Sequence, residues 1–354
     1  MAAFPALRGD LGVAAGYHSA QVEVDVRLNT NESPFPPPAG FLAALSEAVA
    51  DLPLHRYPDR SCLALRVDLA RLHGVQPDQV FVANGSNEVF QCLLLAYGGP
   101  GRAAAVFEPT YAMHRTIART TGTAVATGRR GEDLALSVDE ARRVLAEASP
   151  SVTFVCSPNN PTGRAEPKHL VEEVVELAPG LVVVDEAYAQ FASWTALSLV
   201  ADDVPLVVTR TYSKTWSMAG VRLGYLIGPA PVVAELWEKV ALPYHVDALK
   251  QVAGRLALRF TDEMEQRVAL LVTERERVAT RLAWLPVDTW PSDANFLLLR
   301  PLSRPGEVVW DALVERSVLV RDCSSWPGLE GCLRVTIGTP AENDAFLKAL
   351  EDVL

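Results

Sequence analysis

Between residues 79 and 228, short runs of β-branched and other apolar residues alternate with segments whose apolar positions recur every three or four residues. Residues 80–83, 104–107, 152–156, 181–184, 206–209 and 223–227 are the strand candidates, and 86–97, 137–148 and 167–177 have the helix period. Strands and helices in alternation predict a mostly parallel sheet covered by helices. Leu181-Val182-Val183-Val184 is apolar at every position, whereas a strand with one wet face would alternate. It is therefore expected at the centre of the sheet, buried on both faces.

The flanks have a different texture. Residues 1–38 are rich in Pro, Gly and Asn, and Pro34, Pro36, Pro37 and Pro38 enforce an extended path, so this stretch reads as an arm. Residues 231–284 are dominated by helix formers and are expected to form a long helix linking two lobes. Beyond it, 295–299 and 333–337 read as strands, and 307–316 and 341–354 as amphipathic helices. The expected organisation is an N-terminal arm (1–38), a large α/β domain (39–245) with a central, mostly parallel sheet flanked by helices, and a smaller α+β domain (246–354) that includes part of the N-terminal segment. A chain of 354 residues suits two lobes, because single cores stop growing at roughly 250 to 300 residues.

Composition narrows the function classes. The net charge is −11, with Lys and Arg scattered, so nucleic acid and anionic membrane surfaces are not expected partners. No stretch of about 18 uninterrupted apolar residues occurs, and the first ten residues lack the character of a signal peptide, which makes a cytoplasmic location the expectation. The five cysteines have no C-x-x-C spacing and read as reduced, buried thiols. The six histidines show no ligand spacing and the acidic residues are dispersed, so no metal site is expected; most histidines read as surface or helix-face residues.

Four clusters carry candidate chemistry. Tyr212-Ser213-Lys214-Thr215 follows a buried strand, placing a lysine where open α/β sheets bind ligands. Lysines in loops are usually solvated, but Thr211 and Ser213 flank this one with hydroxyls and Arg222 lies eight residues on. One arginine with two hydroxyls suits a phosphate dianion. Asn84-Gly85-Ser86-Asn87-Glu88 is a glycine turn opening a helix; it is an ordinary capped start when taken alone, and an anion site when coupled to Arg222. Asp185, at the end of the all-apolar strand, implies a buried cation, and a protonated pyridine nitrogen would serve. An apolar strand ending in Asp-Glu also resembles a nucleotide-binding magnesium site, but the chain has no G-x-x-x-x-G-K-[ST]. Ser157-Pro158-Asn159-Asn160-Pro161-Thr162-Gly163 is either a common rigid turn or a loop that presents an asparagine amide at the same sheet edge.

Together with Arg27-Leu28-Asn29-Thr30-Asn31-Glu32, Arg56-Tyr57-Pro58-Asp59, Glu108-Pro109-Thr110-Tyr111, the stretch 210–225 and Leu333-Arg334-Val335-Thr336-Ile337-Gly338, these clusters resemble the histidinol-phosphate aminotransferase family of fold-type I pyridoxal-phosphate enzymes over nearly the whole chain. The resemblance implies that Lys214 carries pyridoxal 5′-phosphate covalently, that Asp185 pairs with its ring nitrogen, that Tyr188 and Asn160 hydrogen-bond its ring oxygen, and that Tyr111 stacks on the ring. The phosphate would meet Ser86, Asn87, Thr211, Ser213 and Arg222, with Tyr57 reaching it from a neighbouring subunit of a homodimer. Arg334, Arg321, Tyr17 and Tyr244 would bind substrate, with Asn160 beside them. The implied reaction is amino transfer from L-histidinol phosphate to 2-oxoglutarate. An aromatic amino-acid aminotransferase, a threonine-phosphate decarboxylase and a protein that binds the cofactor without turnover are the competing readings. Tyr212, Thr215, Trp216 and Cys323-Ser324-Ser325-Trp326 depart from the family pattern on the substrate side.

Overall fold

The computed structural model describes residues 4–11 and 20–354. Two sheets organise the chain. The larger has seven strands, β2 (Val80–Ala83), β3 (Ala103–Glu108), β4 (Ala124–Arg129), β5 (Val152–Cys156), β6 (Leu181–Asp185), β7 (Leu206–Thr211) and β8 (Gly224–Ile227), in the order β2-β8-β7-β6-β5-β3-β4. Only β8 runs antiparallel to its neighbours. The carboxyl ends of β2, β3, β5, β6 and β7 therefore share one edge, where such sheets bind ligands.

The all-apolar pattern of β6 has its cause in the packing. Val183 faces a core layer with Phe81, Phe90 and Leu93, while Val182 and Val184 face the opposite layer with Leu170, Val171 and Val174. All three valines are fully buried, and each stabilises the fold by about 1.5–3 kcal/mol relative to an exposed side chain. Helices α3 (Ser86–Tyr97), α4 (Ala112–Thr120), α5 (Val138–Ala148) and α6 (Lys168–Leu177) cover the sheet; α3, α5 and α6 coincide with the periodic segments to within one residue at each end.

The smaller sheet has the order β1-β11-β12-β10-β9, made of β1 (Val26–Leu28), β9 (Val287–Thr289), β10 (Phe296–Pro301), β11 (Val318–Asp322) and β12 (Leu333–Thr336). The arm is thus not wholly irregular: its β1 pairs in parallel with β11, so the chain's start is stitched into its C-terminal lobe. Helices α10 (Gly306–Glu315) and α11 (Pro340–Val353) pack on this sheet, α11 opening with a capping box between Thr339 and Glu342.

Residues 231–284 do not form one helix. After α1 (Ala39–Ala50) and α2 (Leu63–His73), which pack against this region, the chain runs through α7 (Ala230–Glu235), a π turn (Leu236–Val240), α8 (Ala248–Ala257), a 3-10 turn (Leu258–Phe260) and α9 (Thr261–Leu282). Pro243 cannot donate to a helix and ends the first part, and Asp247 starts α8 afresh by accepting from the Lys250 N–H at 2.8 Å. The long connecting helix is α9 alone. The five cysteines are free and buried. His55 and His169 are exposed, but His114 is completely buried, and His73 is partly buried with its Nε2 2.8 Å from Tyr225 Oη.

Candidate active site

The carboxyl edge of the large sheet and one face of the small sheet enclose a cavity of about 130 Å³. Ser86, Asn87, Tyr111, Asn160, Asp185, Tyr188, Thr211, Ser213, Lys214, Arg222, Arg321 and Arg334 all line it. Residues from a span of more than 240 positions converge there: most lie at or just beyond strand ends or helix starts on the carboxyl edge of the large sheet, and Arg321 and Arg334 come from β11 and β12 of the small sheet. Tyr57 and Tyr244 lie outside the cavity; they are exposed and stack on each other with ring centroids 4.5 Å apart. Tyr17 falls outside the described residues.

One end of the cavity is built for an anion. The β2–α3 turn passes through Gly85 at φ 82°, and a Cβ there would stand 2.9 Å from Arg222 Nη2. A Cβ on Gly224 would stand 2.5 Å from the Ser86 backbone N. Glycine at both positions lets the guanidinium and strand β8 close on the start of α3, whose first N–H groups have no intrahelical acceptor. Thr211 Oγ1 donates to Ser213 Oγ at 3.0 Å, and Arg222 Nη1 donates to the same Ser213 Oγ at 3.4 Å. Hydroxyls, guanidinium and free N–H groups thus meet around a single point.

The middle of the cavity holds Asp185, the last residue of β6, and Lys214, in the turn just beyond the neighbouring strand β7. Burial is the main cause that pushes the Lys214 amine down to about 8, and Arg334 adds to the effect. Lys214 Nζ donates to the Thr30 carbonyl at 3.0 Å. Asp185 is 2 % exposed; its Oδ1 accepts from the Ala187 N–H at 3.1 Å and its Oδ2 lies 3.0 Å from His114 Nε2. His114 stacks on Phe154 and crosses Phe90 edge-on, and its Nδ1 has no partner. Nε2 is therefore the nitrogen that faces the carboxylate and can donate to it. The adjacent Glu186 is committed elsewhere, held by Arg210 at 2.8 Å and by Thr195.

The far end belongs to the small sheet. Arg334 is 5 % exposed and has no carboxylate partner among the described residues; it donates to Asn160 Oδ1 and, at 2.9 Å, to the Asn29 carbonyl, and its Nε is unsatisfied. A buried guanidinium without a counter-ion is costly unless an anion completes it. Arg321 is its directly opposed neighbour across β11 and β12, with Trp326 5.9 Å from its guanidinium. Tyr188 Oη accepts from Asn31 Nδ2 at 3.0 Å, and burial raises the phenol above its usual range.

Three contributors were given no site role from the sequence, although Thr30 and Asn31 lie in the matching stretch Arg27 to Glu32. His114 carries no motif, and only the fold brings α4 under Asp185. Thr30 and Asn31 sit in the arm, whose approach to the site depends on the long-range pairing of β1 with β11. A signal was present for Trp326, as an aromatic following the Arg321 stretch.

An amine of lowered basicity, a fixed carboxylate and an uncompensated arginine around one cavity define a group-transfer enzyme for small anionic molecules. The comparisons agree. The family model for aminotransferase class I and II matches residues 23–350. Histidinol-phosphate aminotransferases of Mycobacterium avium (strain 104) and Nocardia farcinica (strain IFM 10152) are each 44% identical to this chain over 97% of its length, covering 87% and 90% of those proteins. The crystal structure of histidinol-phosphate aminotransferase from Sinorhizobium meliloti in complex with pyridoxal-5'-phosphate aligns with a TM-score of 0.85 at 21% identity, over 93% of this chain and 90% of that one, a likeness of fold. The chain belongs to the class I and II aminotransferases and, within them, to the histidinol-phosphate aminotransferase family.

Proposed function

We propose that the chain binds pyridoxal 5′-phosphate in this cavity and transfers the amino group of L-histidinol phosphate to 2-oxoglutarate, yielding imidazole acetol phosphate and L-glutamate as a step of histidine biosynthesis. The observation that carries the reading is the buried Asp185, at the end of β6, lining the same cavity as Lys214, which follows the adjacent strand β7. The residues fit the cofactor: Gly85 and Gly224 let Arg222 and β8 close on the start of α3, which gathers the guanidinium, the Thr211 and Ser213 hydroxyls and the first helix N–H groups at one end of the cavity as donors for a phosphate. The printed names of the 44% identical relatives support the substrate.

When bound, pyridoxal phosphate supplies an aldehyde for an amine and a pyridine ring that draws electrons from the substrate's Cα. Lys214, with its amine held near 8, is partly unprotonated at neutral pH; it is the residue that would hold the cofactor's aldehyde, and its Nζ is the base that would take the proton from the substrate's Cα. Asp185 would face the ring nitrogen and hold its proton, with His114 and the Ala187 N–H orienting the carboxylate. Arg334 and Arg321 grip the substrate's phosphate in one half-reaction and a carboxylate in the other, since a planar fork suits both.

A homodimer and a cytoplasmic setting belong to the same reading. Tyr57 is 81 % exposed and turned out of its own cavity, as a side chain serving a neighbouring copy's site would be, and Leu54, Leu63 and Leu242 expose apolar surface as well. The division into an arm (1–38), a large domain (39–245) and a small domain (246–354, with part of the N-terminal segment) belongs to this reading too, and the two sheets support it: β2 to β8 lie within 39–245, and β9 to β12 within 246–354 with β1 of the arm added. The test is an assay of purified protein with L-histidinol phosphate, phenylalanine, tyrosine and threonine phosphate, each with and without 2-oxoglutarate. Glutamate formed fastest from histidinol phosphate is the expected result. Comparable rates with phenylalanine, or CO2 released from threonine phosphate without 2-oxoglutarate, would contradict the substrate assignment.

A further inference from the structure

Asn31 is 1 % exposed and left-handed, with φ 55°. Asparagine tolerates that backbone region better than most residues, and its contacts fix it there. Its N–H donates to Thr336 Oγ1 at 3.0 Å, and Thr336 Oγ1 donates to Asn31 Oδ1 at 3.1 Å. Its carbonyl accepts from Asn295 Nδ2 at 3.3 Å. The remaining group, Nδ2, donates to Tyr188 Oη at 3.0 Å, the only hydrogen bond of that hydroxyl among the described residues.

The chemistry of this contact is one-directional. An amide nitrogen can only donate, so Tyr188 Oη accepts, and the phenol's own proton must point elsewhere. Tyr188 lines the cavity, so that direction is the cavity. Thr336 lies two positions beyond Arg334 on β12, and Arg334 itself donates to the carbonyl of Asn29. Residues 29–31 are therefore clamped twice by the strand that carries the substrate arginine.

We propose that Asn31 is a positioning residue that fixes Tyr188 as a hydrogen-bond donor into the cavity, and that Thr336 of β12 sets Asn31 in turn. The proposal rests on the cofactor reading above and goes further by assigning the polarity of the phenol and the path that imposes it. Replacing Asn31 by Asp tests the polarity, because a carboxylate can only accept and would draw the phenol's proton away from the cavity. Thr336→Val removes the hydroxyl that holds Asn31, while Thr336→Ser keeps it.

The readout is the pH midpoint of the visible absorbance that the cofactor acquires on Lys214, followed in the full-length protein with near-UV circular dichroism as the check on folding. Losing a donor to the ring oxygen and adding a negative charge both favour the protonated chromophore. Asn31→Asp should therefore raise the midpoint by about one pH unit, the equivalent of one modest charged hydrogen bond. Thr336→Val should shift it the same way by less, and Thr336→Ser should match the parent. Folded Asn31→Asp and Thr336→Val proteins that both titrate with the parent overturn the proposal; if Asn31→Asp does not fold, Thr336→Val against Thr336→Ser decides. A parent protein that develops no visible absorbance overturns the cofactor reading itself, and this proposal with it.

Discussion

His114 Nε2 and Asp185 Oδ2 stand 3.0 Å apart in the interior, with side chains 0% and 2% exposed. A carboxylate this deep needs a donor, and the histidine supplies one from a helix that shares no motif with the strand it serves. His114→Phe keeps a ring to stack on Phe154 but removes the donor. Hydrogen bonds to charged groups are worth about 1.5–3 kcal/mol, so cofactor affinity should fall by roughly one to two orders of magnitude. Equilibrium titration of the purified variant checks this.

The anion end of the cavity depends on two glycines that cannot carry a side chain. Gly224→Ala would press a methyl group onto the Ser86 backbone N at 2.5 Å. The expected cost is about 1–3 kcal/mol of stability, with weakened cofactor binding. Gly220→Ala is the control, since a Cβ there meets nothing within 4 Å. Thermal unfolding and cofactor titration of the two variants should diverge.

Arg334 presents a fork that a lysine cannot reproduce. Arg334→Lys preserves the charge but not the paired donors that hold the Asn29 carbonyl and Asn160. KM for the acidic substrates should rise about 100-fold, consistent with the loss of a bidentate charged contact, with a smaller change in kcat. Steady-state kinetics of the variant provide the check.

Lys214 makes a pH-dependent contribution to stability in the cofactor-free protein. Its amine is held near 8 when folded, against an ordinary value of 10.5. Between those values the unfolded chain binds more protons than the folded one, so this group's contribution makes stability rise as pH rises from 8 to 10.5. Lys214→Met should flatten that part of the curve, and urea unfolding across the window compares the two proteins.

Much of this architecture was legible in the sequence, for reasons that particular residues make plain. Leu181-Val182-Val183-Val184 is apolar throughout because helices cover both faces of β6, and the α3, α5 and α6 periods reflect one dry face each. Lys214, Asp185, Asn160 and Arg222 could be found because each sits at or near a strand end in a distinctive local pattern. Strand β4 escaped because it is an edge strand, with most positions partly or fully exposed and a glycine within it. The break in residues 231–284 was signalled by Pro243 and Asp247, but helix propensity on either side outweighed them. The role of His114 carries no local signal, and Asn31, though inside a recognisable stretch, could not be given its role locally, since both roles exist only through α4 lying beneath β6 and the arm pairing with β11.

The central claim is that Lys214 carries the cofactor, and reductive trapping tests it most directly. Protein incubated with pyridoxal phosphate and treated with borohydride should yield, on peptide mapping, a phosphopyridoxyl group on the peptide containing Lys214, and none in Lys214→Ala. A stable adduct on another lysine, or a Lys214→Ala protein that keeps the visible absorbance and turnover, would contradict the account.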